Sequence, residues 1–198
     1  MRWCALALVL LAACSGGLPP KGASVSYVAR YPEVIPVTMP ATAPSITQQF
    51  RVHDGGFDAG RKWGDHHGLD VHAPVDTPVL AAAPGRVDQS YFDPAYGHVI
   101  RLVHEGGYWT RYAHLARRDV ARGARVAQGQ EIGGLGRSGA LSGGFLHLHF
   151  ELWQATPAGR VAVDPHLHWA KGRGQVTCYG TQGRARNGAS LTYPVICD

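Results

Sequence analysis

The chain has 198 residues, 45% hydrophobic and 17% charged, enough for one domain of ordinary size whose core folds without help. Nineteen Lys and Arg against 14 Asp and Glu leave a net charge of +5 with the histidines neutral. These cations are scattered and no recognition helix accompanies them, which sets nucleic acid aside as a partner and leaves a solvated basic surface.

Residues 1–14, "MRWCALALVLLAAC", carry a basic start, a short apolar stretch and small residues before a cysteine. The pattern reads as an export signal over residues 1–13, too short for a spanning helix. Its end, Leu11-Ala12-Ala13-Cys14, resembles the lipobox of bacterial lipoproteins. That resemblance implies processing to an acylated Cys14 and a membrane contact through the lipid anchor rather than through a span. Ser15 at the next position implies the periplasmic face of the outer membrane. For an exported protein, mild positive charge favours dwelling near an anionic cell wall. Cys4 leaves with the signal and Cys14 is acylated, so Cys178 and Cys197 remain, and an oxidising compartment makes a disulfide between them the expectation.

From 14 to 47 the sequence is rich in Pro and small residues without sustained periodicity, as expected for an extended tether. A short strand at Tyr27–Tyr31 or Val34–Val37 is compatible with it. Beyond, "HVIRLVH" (98–104), "YWTRYAHL" (108–115) and "HLHFELW" (147–153) alternate in the manner of strands. The first two, separated by Glu105, Gly106 and Gly107, predict a hairpin. The expectation is an all-β domain beyond this tether, built of antiparallel sheets, with few or no long helices. Segment 117–129 is the one candidate helix, weakened by Gly123. Residues 171–198 are polar and Gly-rich, an irregular or short-stranded tail stapled by its cysteines.

Two clusters carry chemistry. In 147–153 a period of two places His147, His149, Glu151 and Trp153 on one face and Leu148, Phe150 and Leu152 on the other. In "GDHHGLDV" (64–71) His66 and Asp70 flank Gly68, and the strand-like surroundings favour an extended segment with convergent side chains. Imidazole and carboxylate suit Zn²⁺, and a catalytic zinc has three protein ligands and one open position. His66, Asp70 and one histidine of the 147/149 pair supply that number.

H-x-G-x-D at 66–70, "YAHL" at 112–115 and H-x-H at 147–149, in that order, resemble the signature of the M23 or lysostaphin-like (LytM-type) zinc endopeptidases. "GLDVHAPVDTPVLAAAPGRV" (68–87), "VARGARVAQGQEIGGLGRSG" (120–139) and "VDPHLHW" (163–169) extend the resemblance to roughly 48–170. It implies a lysostaphin-like, barrel-sandwich hybrid fold with a narrow groove. It also implies one zinc per chain on His66, Asp70 and His149, with His114 and His147 as catalytic histidines. His147 is expected to act as general base and His114 to stabilise the tetrahedral intermediate. The implied substrate is peptidoglycan, cut in its stem or cross-bridge peptides, with the D-alanyl to meso-diaminopimelate cross-link the expected target. Segments 51–64 and 90–98 are expected groove walls. Asp164 and Glu151 are candidate acceptors for the imidazoles.

Some relatives of this type lose metal ligands and regulate cell-wall amidases or bind peptidoglycan; all five residues stand here, which favours catalysis. "GLGRSG" (134–139) matches G-x-G-x-x-G but no amphipathic helix follows, so its glycines are expected to make tight turns beside the groove. His53, His67, His72, His98, His104, His166 and His168 are expected to be surface or structural residues, with His67, next to a ligand, alternatively orienting that ligand or shaping the groove.

Overall fold

The alternating runs fold as the strands they resemble. In the computed structural model, which describes residues 35–51, 65–181 and 189–197, the strands in chain order are Ile46–Gln48 (β1), Gly68–Val71 (β2), Pro78–Leu80 (β3) and Gly85–Asp93 (β4). They continue with Gly97–His104 (β5), Tyr108–Leu115 (β6), Arg117–Arg118 (β7), Arg125–Val126 (β8), Glu131–Gly134 (β9), Leu148–Thr156 (β10) and Gly159–Val163 (β11). Among the described residues the helices are two 3₁₀ turns, Ala140–Ser142 and Pro165–Leu167. The export signal, Cys14, the stretch Tyr27–Tyr31, His53 and most of the 51–64 wall lie outside the described residues.

One antiparallel sheet runs in the order β1-β2-β10-β6-β5-β4-β8, with β11 also paired to β10; β3, β9 and β7 form a second. The expected hairpin is present: β5 and β6 pair from His104↔Tyr108 to His98↔Leu115, and Gly106 and Gly107 make the turn at φ 76°. Period-two burial holds on β10, where Leu148, Phe150 and Leu152 are fully buried. They join Leu69, Val71, Ile100, Leu102 and Tyr112 in a core that closes against Val79 and Ile132 of the smaller sheet.

Segment 117–129 is not helical. Its backbone groups are spent on neighbouring strands: Asp119 N donates to Ile132 O at 2.9 Å, Gly123 N to Val87 O at 2.8 Å, and Val87 N to Ala124 O at 2.8 Å. Gly123 turns the chain at φ 92°, and Val126 is the one residue of the segment in the buried core. With Val120 and Ala124 only partly buried beside it, the apolar stripe is thin, and sheet pairing outweighs the weak propensity.

The stretch after Trp169 is irregular, as its composition suggests, yet it belongs to the core. Val176, Leu191, Tyr193 and Val195 are buried, and Val195 bridges Val79 while Leu191 bridges Trp169. Likewise Val37, Met39 and Ala43, on the segment read as tether, pack against that core, with Thr38 bridged to Gln175. The Cys178–Cys197 disulfide is formed, with Cα atoms 6.0 Å apart across a sequence separation of 19. Closing a loop of that size stabilises by about 3 kcal/mol in the chain-entropy treatment. Cys178→Ser is therefore expected to lower the melting temperature by roughly 6–12 °C; a melt matching wild type would show that the buried 191–195 run holds this segment alone.

Candidate metal centre and its flanking histidines

β2 and β10 are antiparallel neighbours in a register that sets Asp70 opposite His149 and Gly68 opposite Glu151. Gly68 is required by that proximity, because a Cβ there would overlap the carbonyl of Phe150. His66, just before β2, is held by paired backbone hydrogen bonds with Arg51 at 2.8 and 2.7 Å. Three side chains from two distant stretches thereby converge. His66 Nε2 lies 3.0 Å from Asp70 Oδ1, His149 Nδ1 lies 2.8 Å from the same oxygen, and the two nitrogens are 3.2 Å apart. Donors bonded tetrahedrally to Zn²⁺ at about 2.0–2.1 Å stand roughly 3.3 Å from one another. The triangle is within a few tenths of an ångström of that face.

The outward nitrogens determine what the inward ones offer. His66 Nδ1 is 2.8 Å from the carbonyl of Gln49, which only accepts, so that nitrogen carries the hydrogen and Nε2 turns a lone pair inward. His149 Nε2 is 3.0 Å from the Glu151 carboxylate, so its Nδ1 lone pair is also inward. Two lone pairs and a carboxylate facing one point repel unless a cation sits among them. A proton can serve. Burial would raise the Asp70 carboxyl, but hydrogen bonds from His149 and His66 outweigh it and hold it well below the usual carboxylate range. Burial would lower His149, yet Asp70 and Glu151 push it up to about 9. The donor set, with both imidazoles fixed as neutral ligands by their outer partners, equally suits a divalent metal.

His114 and His147 flank this centre, their rings 4.8 Å apart. His114 Nδ1 donates to Ser138 O at 2.8 Å and His147 Nδ1 to Phe145 O at 3.1 Å. Each ring keeps its Nε2 free of these anchors, and that of His147 lies 3.9 Å from Asp70 Oδ1. Burial pushes His114 down to about 4 against the Ser138 hydrogen bond, and burial also lowers His147. Both are neutral bases at physiological pH. His114 has φ 61°, rare for a residue with a side chain; its N–H donates to Tyr96 O at 2.9 Å. The Tyr96 ring stacks on His114 at 6.2 Å with an interplanar angle of 17°.

All five residues singled out in the sequence line one cleft with Gln48, Tyr96, Leu141 and Glu151. Its volume of about 200 Å³ far exceeds the roughly 30 Å³ share of one water, leaving room for part of a substrate. Of the expected wall 90–98, Tyr96 faces the cleft, whereas Phe92 is exposed and packs on His98. Glu151 does accept from an imidazole; Asp164 does not, and instead caps the 165–167 turn by accepting from His166 N at 2.9 Å. His104 and His166 are buried structural residues, the former bonded to Pro84 O and Thr110, the latter to Gln49 and Trp169. Sequence reasoning missed Arg111, which reaches Glu151 at 3.1 Å; on an alternating strand it looks like an ordinary solvated cation.

Comparison with known proteins identifies the family. Peptidase family M23 matches residues 64–165, about half of the chain. The peptidoglycan DD-endopeptidase ShyC of Vibrio cholerae is 45% identical over 85 residues, 43% of this chain and 20% of ShyC. The chain thus spans about a fifth of the length of that relative. A zinc-containing peptidase from Vibrio cholerae superposes with a TM-score of 0.52 at 30% identity, over 65% of this chain and 37% of that one. The catalytic domain of lysostaphin from Staphylococcus simulans gives 0.51 at 28% identity, over 62% and 89%. With the family's span enclosing His66, Asp70, His114, His147 and His149 alike, the chain belongs to peptidase family M23.

Proposed function

We propose that the chain is a zinc-dependent endopeptidase that hydrolyses peptide bonds in peptidoglycan cross-links or stem peptides. In this reading acyl chains on Cys14 hold it at the periplasmic face of the outer membrane, and the D-alanyl to meso-diaminopimelate bond is the target. One observation carries the reading: three inward-facing donors at near-tetrahedral spacing, beside two neutral histidines anchored at Nδ1. The similarity to a named peptidoglycan DD-endopeptidase supports the substrate class.

His66, Asp70 and His149 would hold Zn²⁺, which would supply Lewis acidity, lowering the ionisation of water to about pH 7 and polarising an amide carbonyl. The protein's own part is positioning and proton movement. His147, nearer to Asp70, takes the proton from the attacking water at Nε2 and later hands it to the leaving amine. While its Nδ1 donates to Ser138 O, neutral His114 has no hydrogen on Nε2. It therefore stabilises an oxyanion only while protonated, its ring centre 4.8 Å from that of His147. Tyr96 and Leu141 on the rim keep the peptide extended over these groups.

His147→Ala is expected to retain zinc while kcat falls by about 10²–10⁴, the range for losing a positioned acid–base group. The function itself is tested by incubating full-length protein in detergent with purified peptidoglycan and identifying released fragments by mass. Release that stops on chelation and is absent in His149→Ala is expected. Products unchanged by either treatment rule out hydrolysis at this site, and binding without cleavage turns the reading to a regulator of cell-wall amidases.

A further inference from the structure

Resting on the zinc reading above, we propose that Glu151 is a positioning residue that dictates which nitrogen of His149 faces the metal. Glu151 is fully buried on the same face of β10 as His149. A buried carboxylate is costly unless its lone pairs are occupied, and these are. Oε1 accepts from His149 Nε2 at 3.0 Å and from Arg111 Nη1 at 3.1 Å, and Oε2 accepts from Trp153 Nε1.

The donors holding the carboxylate are themselves held. Arg111 stands directly opposite Glu151 in the β6–β10 pairing, and its guanidinium lies 5.0 Å from the centre of the Tyr96 ring and 5.9 Å from that of Trp153. On the other side of β10, Gly68 faces Glu151, and a Cβ there would come within 3.1 Å of Glu151 Cγ. The glycine between His66 and Asp70 thus admits both the close strand and this carboxylate.

An imidazole without such a partner distributes its hydrogen between two nitrogens and can rotate about χ2. Hydrogen on Nδ1 would cap the lone pair that points at Asp70 and His66. By accepting from Nε2, Glu151 excludes the neutral ring with its hydrogen on Nδ1, so that at most a proton on Nδ1 has to give way to the metal, and Arg111 and Trp153 stop the carboxylate from swinging away. Outer partners of metal-bound histidines set affinity by about 10–100-fold.

The experiment measures zinc affinity by chelator competition for the full-length wild type, Glu151→Leu and Glu151→Gln, with melting in excess chelator as a folding control. Glu151→Leu is expected to weaken zinc by about 10–100-fold. Glu151→Gln, whose amide oxygen still accepts from His149 Nε2, is expected to lose less than about tenfold. A purely structural role would lower the melt and leave zinc affinity alone. Nitrogen-15 NMR of zinc-loaded wild type supplies a readout independent of any variant, with His149 expected to be ligated through Nδ1 and hydrogenated at Nε2. Ligation through Nε2, or a folded Glu151→Leu within about twofold of wild type, overturns the role while leaving the zinc reading intact. Wild type that takes up no zinc overturns both.

Discussion

Asp70→Ala is expected to take up no zinc at micromolar concentration and to release no peptidoglycan fragments, while still unfolding cooperatively, at a melting temperature lowered by the loss of a buried, hydrogen-bonded carboxylate. Asp70 Oδ1 is the corner shared by both imidazoles, at 3.0 Å from His66 and 2.8 Å from His149. Without it the two remaining inward nitrogens face each other at 3.2 Å with no negative charge between them. Lewis-acid stabilisation is worth several kcal/mol in the transition state, and each 1.36 kcal/mol is tenfold, so hydrolysis should fall by about 10³ or more. Asp70→Ala and His149→Ala should be equally inactive, and combining them should cost nothing further, because the ligands act as one unit. The checks are chelator competition, mass analysis of fragments, and a melt in excess chelator. Zinc affinity within about tenfold of wild type together with retained cleavage would place the metal elsewhere.

How much of this centre can be read in the sequence depends on which atoms do the work. Alternation along 147–153 places His149 and Glu151 on one face, and antiparallel pairing of β2 with β10 brings Asp70 opposite, so the side-chain ligands are legible. The atoms that set the tautomers are largely backbone carbonyls, those of Gln49, Ser138 and Phe145, and a carbonyl has no residue-type signature. Arg111 and Tyr96 matter through their positions across the sheet and over the cleft, which pairing register decides. The mistaken helix at 117–129 and the unexpectedly buried run at 191–195 share a cause. Both segments take their hydrogen bonds from other parts of the chain, Ile132 O for Asp119 and Ala82 O for Thr192. Local propensity carries no record of such partners.

Gly139→Ala is expected to destabilise the fold by roughly 4 kcal/mol or more and to slow hydrolysis in whatever protein remains folded. Gly139 has φ 81°, and its Cβ would overlap the backbone of Gly97, itself at φ 70°, and approach Ala95 O to 2.5 Å. At φ 81° and ψ 154° the backbone lies in a region essentially reserved to glycine, which alone costs an alanine about 1–3 kcal/mol, and the overlap forces two backbone segments apart, an effect large enough to stand out among point mutations. Those segments meet through Ala140 N donating to Pro94 O and Leu141 N to Ala95 O, each at 2.9 Å. Between them Ser138 accepts from His98 N at 2.9 Å, donates to Leu115 O at 2.6 Å, and presents the carbonyl that anchors His114. Displacing Ser138 by about 1 Å would misplace the His114 ring, and misplacements of that size cost on the order of 10² in rate. Gly123→Ala is the control: its φ of 92° is also positive, but nothing lies within 4 Å of the added carbon. It should therefore lose only the conformational 1–2 kcal/mol or so and cleave peptidoglycan at the wild-type rate. Should Gly139→Ala melt alongside Gly123→Ala and cleave as fast as wild type, the crossing of these two loops is not what holds His114 in place.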